Sequence, residues 1–145
     1  MTDRGLSGWF EAAVHHFPVR VYYADTDAAG VVYHSTYLDF AERARTEIMR
    51  LISPDRGGPD GGEDVLFVVR RCEVDYLRSA RLDDLLMVRS RVTSLGGATL
   101  GLDQSFWRQD EEMARVAVLL VCVKDVGGST RIPKSLRDKL AAFLT

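Results

Sequence analysis

The sequence contains few of the residues that mark metal-binding, disulfide-bonded or nucleic-acid-binding proteins. Its 145 residues include two cysteines and three histidines, and the formal net charge is −2. No cysteine or histidine spacing matches a zinc site, so we expect no metal. A pI of about 5.9 indicates none of the basic surface that nucleic-acid binding requires, so we expect no nucleic-acid partner.

Long apolar runs are missing as well. No stretch approaches the roughly 20 residues of a transmembrane helix, and Asp3, Arg4 and Glu11 put charge where a signal peptide would be apolar. Cys72 and Cys122 both lie in apolar runs, which we interpret as buried thiols of a reducing compartment rather than a disulfide. The sequence therefore predicts a soluble, cytoplasmic protein.

The apolar residues that are present suffice for one domain. They make up 46% of the chain, which is typical of a globular protein of this size. Val19, Val21 and Tyr23 alternate with Arg20 and Tyr22, the two-residue period of a half-buried strand. The acidic stretch DTDAAG that follows ends in glycine and predicts a turn.

From about Ser35 the apolar period changes to between three and four residues, as on one face of an α-helix. Thr36 and Asp39 have the spacing of a capping box. Glu42 and Arg45 have the spacing of an ion pair on the outer side of the helix. The predicted buried face consists of Tyr37, Phe40, Ala41, Ala44, Ile48 and Leu51.

Four strand-like segments follow the helix, joined by short polar or glycine-containing turns. They are predicted at residues 66–77, 86–92, 98–106 and 114–123, after a glycine-, proline- and aspartate-rich loop at 53–64. A strand, a long helix and four consecutive strands predict the α+β class, with an antiparallel sheet packed against one helix. The first 16 residues are less regular. We interpret Trp9 and Phe10 as one side of a short helix, and His15 and His16 as a surface pair at a strand start.

These residues also carry a family resemblance. The stretch YYADTDAAGVVYHSTYLDFAERARTE resembles the signature of hotdog-fold acyl-CoA thioesterases of the 4-hydroxybenzoyl-CoA thioesterase-like group, in particular those associated with the Tol–Pal system. The segments FVVRRCEVDYLRSARLDDLL, VLLVCV and IPKSL are similar to that group too. The resemblance covers about residues 17–137, which makes it far more specific than one short motif. A Tol–Pal role follows from the resemblance alone.

The resemblance implies a hotdog fold, in which an antiparallel five-stranded sheet wraps around one long central helix. Residues 17–145 would form this single domain, and residues 1–16 an N-terminal extension. It also implies a homo-oligomer, either a dimer joined edge to edge or a dimer of dimers, with active sites at the dimer interface. The substrate would be an acyl-CoA or an acyl carrier protein.

The resemblance also assigns roles residue by residue. Asp27 matches the catalytic carboxylate, and His34 occupies the helix-start position whose backbone N–H polarises the thioester carbonyl. Asp25 matches a structural turn aspartate. The residues matching substrate-binding positions are Gly30, Val31, Tyr33 and Tyr37. Without the family, Asp27 would read as a turn-capping residue and the tyrosines as core aromatics.

The chemistry suits these residue types. A thiolate leaves readily because the pKa of its thiol is only about 8.5, so one carboxylate and a helix N-terminus suffice, and we expect no cofactor. The carboxylate acts either as a nucleophile or as a general base for water. A carboxyl group in water, with a pKa of about 3.9, is a weak base at neutral pH. Direct attack through a mixed anhydride is therefore slightly favoured.

One feature departs from the family, and two other functions stay open. The turn after the third strand, SLGGA, carries no basic residue for the phosphates of coenzyme A. Those phosphates would be held by Arg70, Arg71, Arg89 or Arg91, or the donor is a carrier protein. The alternatives are a non-catalytic module that binds acyl chains or scaffolds other proteins, and a hydratase of enoyl-CoA. The hydratase fits less well because its Asp and His lie closer together in sequence.

Overall fold

The computed structural model of the protein describes residues 4–53, 65–124 and 127–145. The strands are β1 Trp9–Glu11, β2 Val14–Arg20, β3 Val65–Tyr76, β4 Leu85–Leu95, β5 Thr99–Arg108 and β6 Glu111–Lys124. The helices are α1 Arg4–Ser7, α2 Thr36–Ile52 and α3 Lys134–Ala141, and a 3-10 turn spans Tyr23–Asp25. Most of the loop predicted at 53–64 lies outside the described residues. None of the described helices is long and apolar enough to cross a membrane.

The strands form one antiparallel sheet in the order β1-β2-β4-β5-β6-β3. The predicted hairpin turn is confirmed, because the N–H of Gly96 donates to the carbonyl of Thr99 at 2.9 Å. The sheet has six strands rather than the expected five. The extra strand is β1, in the segment that was predicted to be helical around Trp9 and Phe10. The suggested boundary between residues 16 and 17 falls inside β2.

Helix α2 packs its apolar face into the concave side of this sheet. Five of its six predicted core residues, from Tyr37 to Ile48, are buried, and Phe40 is completely inaccessible. Burying that ring alone stabilises the fold by roughly 1.5–3 kcal/mol. The prediction for Leu51 is wrong: this side chain is 42% exposed, and Ile52 takes the core position. The step of four residues from Ile48 stays on the buried face, whereas the step of three turns to solvent.

Two predictions for the segment between β2 and α2 are also wrong. The strand predicted to reach Tyr23 ends at Arg20, because the carboxylate of Asp25 accepts a hydrogen bond from the N–H of Tyr22 at 2.8 Å and closes the 3-10 turn. Tyr22 and Tyr23 are exposed as a result. The predicted capping box is not formed either, since Ser35 precedes the helix and no side chain caps it.

The structure contradicts three predictions about which side chains are buried. Cys72 is exposed on β3, and only Cys122 is buried. His15 is completely buried, and its Nε2 lies 2.8 Å from the carbonyl of Ser7 in α1. The N-terminal extension therefore covers a histidine that the sequence placed at the surface. Arg45 was expected on the solvent side of α2, but it is half-buried against β5.

Arg45 belongs to a polar cluster between α2 and the centre of the sheet. Its Nη1 donates to Oε1 of Gln104 at 2.9 Å. Nε2 of Gln104 donates to the carbonyl of Ala41 at 2.9 Å and to Oγ of Ser90 at 3.0 Å. Gln104 and Ser90 are both buried, so each of these bonds offsets the cost of removing a polar group from water.

Candidate active site

The turn between β2 and α2 holds Asp27 in a fixed orientation. Its Oδ1 accepts hydrogen bonds from the backbone N–H groups of Ala29 at 2.8 Å and Val31 at 3.4 Å. Its own N–H donates to the carbonyl of Val31 at 2.9 Å. Gly30 donates to the carbonyl of Asp27 at 3.0 Å and has a φ of 78°, the left-handed region that glycine adopts without a steric penalty. One carboxylate oxygen thus anchors the turn.

The other oxygen of Asp27, Oδ2, accepts no hydrogen bond from the part of the chain that the structure describes. The side chain is exposed and lines a cavity of about 300 Å³. A carboxylate that is held through one oxygen while the other has no bond to the turn can contact a bound molecule through that second oxygen.

The same cavity reaches the start of α2. His34 and Tyr37 line it together with Asp27. Within the described residues, the backbone N–H of His34 has no hydrogen-bond acceptor, as expected for the exposed donors that precede the first turn of a helix. The helix dipole adds a partial positive charge at this end. The cavity therefore combines a carboxylate with a site that favours developing negative charge.

The predicted substrate-binding residues fall into two groups. Val31 and Tyr37 line the cavity, whereas Gly30 and Tyr33 are not among its lining residues. Tyr33 is about half exposed, and its ring lies 4.4 Å from the ring of His34. Asp25 is a structural turn residue, as the resemblance implies, because its carboxylate closes the 3-10 turn that ends at this residue.

Tyr37 forms the inner wall of the cavity. It is only 2% exposed, and its ring meets Tyr76 and Phe106 edge-on at 5.6 and 5.4 Å between ring centroids. Burial raises the pKa of its hydroxyl above the ordinary value, so this group stays protonated at neutral pH. Its Oη accepts a hydrogen bond from the N–H of Ala80 at 3.4 Å.

Sequence reasoning missed the wall on the other side. The cavity is also lined by the end of β3 and the residues after it, Tyr76, Leu77, Arg78 and Ser79. These positions lie within a segment that resembles the family, but nothing in their spacing marks them as site residues. The C-terminal end of β3 lies beside the start of α2, since the hydroxyl of Tyr76 donates to the backbone carbonyl of His34 at 2.7 Å.

The arginines proposed to hold phosphate lie elsewhere. Arg89 packs over the ring of Trp107 at 4.7 Å, Arg91 pairs with Asp103, and Arg71 pairs with Glu73. The basic residue that lines the cavity is Arg78, whose Nε lies 3.4 Å from a carboxylate oxygen of Glu111.

A family model described as the thioesterase superfamily matches residues 29–114, more than half of the chain and most of this site. The chain belongs to the thioesterase superfamily. This thioesterase is 45% identical to the acyl-CoA thioesterase YbgC of Haemophilus influenzae over 127 aligned residues. The alignment covers 88% of this chain and 86% of that protein. It is 43% identical over 122 residues to the acyl-CoA thioester hydrolase YbgC of Escherichia coli O6:H1, covering 83% and 90% of the two chains.

Solved structures agree on the fold. A probable thioesterase from Bartonella henselae superposes with a TM-score of 0.72 at 36% identity, covering 83% of this chain and 98% of that one. A 1,4-dihydroxy-2-naphthoyl-CoA thioesterase from Synechocystis superposes with a TM-score of 0.76 at 21% identity, covering 88% of this chain and 96% of that one. At this identity the likeness supports the fold only. The thioesterase therefore has the expected hotdog fold, with β1 added at one edge.

Proposed function

We propose that the protein hydrolyses acyl-CoA thioesters to a free acid and a thiol. Two relatives that are 43–45% identical over most of the chain are acyl-CoA thioester hydrolases. The observation that carries the proposal is the pairing of Asp27 with the start of α2 in one cavity. A scaffolding or acyl-binding module would need only the Oδ1 contacts that hold the turn, whereas a thioesterase also needs the second carboxylate oxygen beside the start of α2.

In the proposed reaction, the backbone N–H of His34 and the helix dipole hold the thioester oxygen as it becomes negative. Oδ2 of Asp27 either attacks the carbonyl carbon or takes a proton from a water that attacks it. In both cases a C–O bond forms, the C–S bond breaks, and the thiolate leaves and takes up a proton. If the carboxylate attacks, water then cleaves the resulting mixed anhydride. A preorganised oxyanion donor lowers the barrier by roughly 3–4 kcal/mol.

The donor is coenzyme A or the pantetheine arm of a carrier protein. Arg78 lines the cavity with a side chain that is 62% exposed, so it is available to contact an anionic group on either donor. Cys72 and Cys122 form no disulfide in the part of the chain that the structure describes, which fits the reducing cytoplasm, where both donors are found.

The proposed functional unit is a homodimer joined through β3. Among the described residues, β6 is the one strand that pairs with it. Leu66, Val68 and Val69 on it are each about half exposed. An open, apolar edge strand is a surface that a second copy can extend by hydrogen bonding. Because the end of β3 lines the cavity, such a dimer would place the partner chain beside each site.

Asp27→Asn tests the proposal, because the amide oxygen keeps the bonds to Ala29 and Val31 while the carboxylate charge is lost. We expect the rate of thiol release from acyl-CoA to fall by about 100-fold or more, with secondary structure and molecular mass unchanged. Asp39→Asn is the matched control, since Asp39 is an exposed carboxylate in the first turn of α2 outside the cavity. Its rate should stay within about threefold of the parent.

Three outcomes contradict the proposal. Near-normal thiol release in Asp27→Asn would remove that residue from the mechanism. Loss of enoyl absorbance without thiol release would make the parent protein a hydratase. Absence of any reaction with acyl-CoA and acyl carrier protein of graded chain length would leave a binding module.

A further inference from the structure

A tyrosine at the end of β3 forms a hydrogen bond with His34, just before the start of α2. The hydroxyl of Tyr76, the last residue of β3, donates a hydrogen bond to the backbone carbonyl of His34 at 2.7 Å. In a regular helix this carbonyl would accept from the N–H of Leu38, but that N–H donates to Ser35 at 3.1 Å. The carbonyl of His34 is therefore held by a side chain from another element.

The tyrosine is itself fixed in place. Its backbone pairs with Ala114 of β6, and its ring lies edge-on against Tyr37 and His34, with centroid distances of 5.6 and 6.5 Å. Burial raises the pKa of the Tyr76 hydroxyl above its ordinary value, so the group remains a hydrogen-bond donor at neutral pH. A rigid strand thus supplies a donor at a defined position.

We propose that Tyr76 is a positioning residue, whose hydroxyl holds the His34 carbonyl and so orients the backbone N–H that receives the thioester oxygen. The inference rests on the proposed function and names a residue that adds to it. The N–H of His34 lies in the same rigid peptide group as the carbonyl of Tyr33, which accepts a hydrogen bond from the N–H of Thr36 at 2.9 Å and so closes a turn over residues 33–36. The carbonyl of His34 belongs to the next peptide group of this turn, and the bond from Tyr76 holds it. The turn is therefore held at both peptide groups that flank the Cα of His34, and loss of the Tyr76 bond would loosen the turn that orients the N–H. An oxyanion donor is effective only when it is oriented before the reaction begins.

The hydroxyl of Tyr76 can be removed without removing the ring. In Tyr76→Phe the contacts with Tyr37 and His34 remain, while the carbonyl of His34 loses its donor. We expect kcat for the best substrate in a series from acetyl-CoA to palmitoyl-CoA to fall about tenfold, with KM changed by less than about twofold. Tyr23→Phe is the control, because Tyr23 is 81% exposed and lies outside the cavity, and its kcat should equal that of the parent.

A spectroscopic readout separates positioning from a general structural effect. The carbonyl stretch of a ¹³C-labelled thioester bound to Asp27→Asn should lie below its value in water, because the N–H of His34 polarises the bond. In the double variant Asp27→Asn, Tyr76→Phe it should move back toward the value in water. Circular dichroism and molecular mass should be the same for both proteins.

The possible results distinguish the two proposals. A carbonyl stretch that is shifted equally with and without the Tyr76 hydroxyl, or an unchanged kcat in Tyr76→Phe, overturns the inference and leaves the proposed function standing. A stretch that is unshifted in Asp27→Asn itself overturns the oxyanion role of His34 and, with it, this inference, whereas the proposed hydrolysis falls only if the parent protein releases no thiol. A fall in kcat accompanied by loss of secondary structure or by a rise in KM assigns Tyr76 a structural role and overturns the inference.

Discussion

Replacement of Gln104 by leucine removes the polar centre of the interface between α2 and the sheet. Leucine is close to glutamine in size but forms no hydrogen bonds. Gln104 is completely buried and forms three bonds, to Arg45, Ala41 and Ser90, each between 2.9 and 3.0 Å. After the change, the hydroxyl of Ser90, which is 2% exposed, loses the amide that donates to it.

The expected cost follows from these contacts. A neutral hydrogen bond contributes about 1 kcal/mol net, a bond to a charged group about 1.5–3 kcal/mol, and a stranded buried hydroxyl costs about 1–3 kcal/mol. The added apolar surface of leucine returns about 1 kcal/mol. The lost bond to Ser90 is counted only once, through the stranded hydroxyl, and the middle of each range is used for the other contributions. We therefore expect the free energy of unfolding to fall by about 4 kcal/mol. Unfolding entropy scales with length, so for this chain each kcal/mol corresponds to about 3 °C, and Tm should fall by about 12 °C.

Thermal unfolding at one fixed protomer concentration measures this change, since oligomers have a concentration-dependent Tm. Ser90→Ala should cost about 1 kcal/mol in the parent. In the Gln104→Leu background the same substitution should instead restore about 1 kcal/mol, because it removes the stranded hydroxyl. Ser94→Ala, at an exposed serine of the same strand, is the control and should change stability by less than about 0.5 kcal/mol.

Two results would refute this reasoning. A Tm for Gln104→Leu within about 2 °C of the parent would mean that the buried bonds contribute nothing net. An equal cost for Ser90→Ala in both backgrounds would mean that Gln104 and Ser90 are not coupled.

Two further predictions concern β2, the strand next to one edge of the sheet, and β3, the strand at the opposite edge. Burial lowers the pKa of His15 below its ordinary value of 6.5. Below about pH 6.5 the unfolded state therefore binds more protons than the folded state. The free energy of unfolding should be at its highest above that pH and fall below it. In His15→Gln the fall in Tm between about pH 7.5 and 5.5 should be shallower, and equal slopes would exclude His15 as the cause. At the opposite edge, Val68→Asp should halve the mass measured by light scattering, because a carboxylate would be buried in the proposed dimer. Leu85→Asp, at an exposed apolar residue of β4, should leave the mass unchanged, and an unchanged mass in Val68→Asp would exclude the β3 edge as the interface.

Hydrophobic periodicity was sufficient to predict most of the elements. The alternation in β4 and β5, the nearly continuous apolar run of β6 and the three-to-four-residue step of α2 each reflect which side chains leave water, and this requirement holds whatever the neighbours are. It failed where a single local bond decided the outcome. The carboxylate of Asp25 ended β2 early, and Ile52 replaced Leu51 because a small difference in rotation decides which residue faces the core.

The candidate site shows the same division. Asp27, His34 and Tyr37 lie within 11 residues of one another, so a strand–turn–helix motif keeps them together and the motif could be recognised in the sequence. Tyr76 lies 42 residues from His34, and no local pattern connects the two. The family resemblance also assigned Gly30 and Tyr33 to substrate-binding positions, and neither is among the residues that line the cavity.

The sequence by itself determined the class of the fold, the long amphipathic helix and the acidic turn before it, because each depends on interactions between residues that are near in the chain. The tertiary structure alone decided that β1 joins the sheet, that His15 is buried beneath α1, that Arg45 bonds to Gln104, and that Tyr76 meets His34. The bonds from Arg45 to Gln104 and from Tyr76 to His34 join residues 59 and 42 positions apart, and the burial of β1 and His15 depends on how the N-terminal segment folds back onto the sheet. All of these contacts form only when the strands are in register and the helix is packed against them.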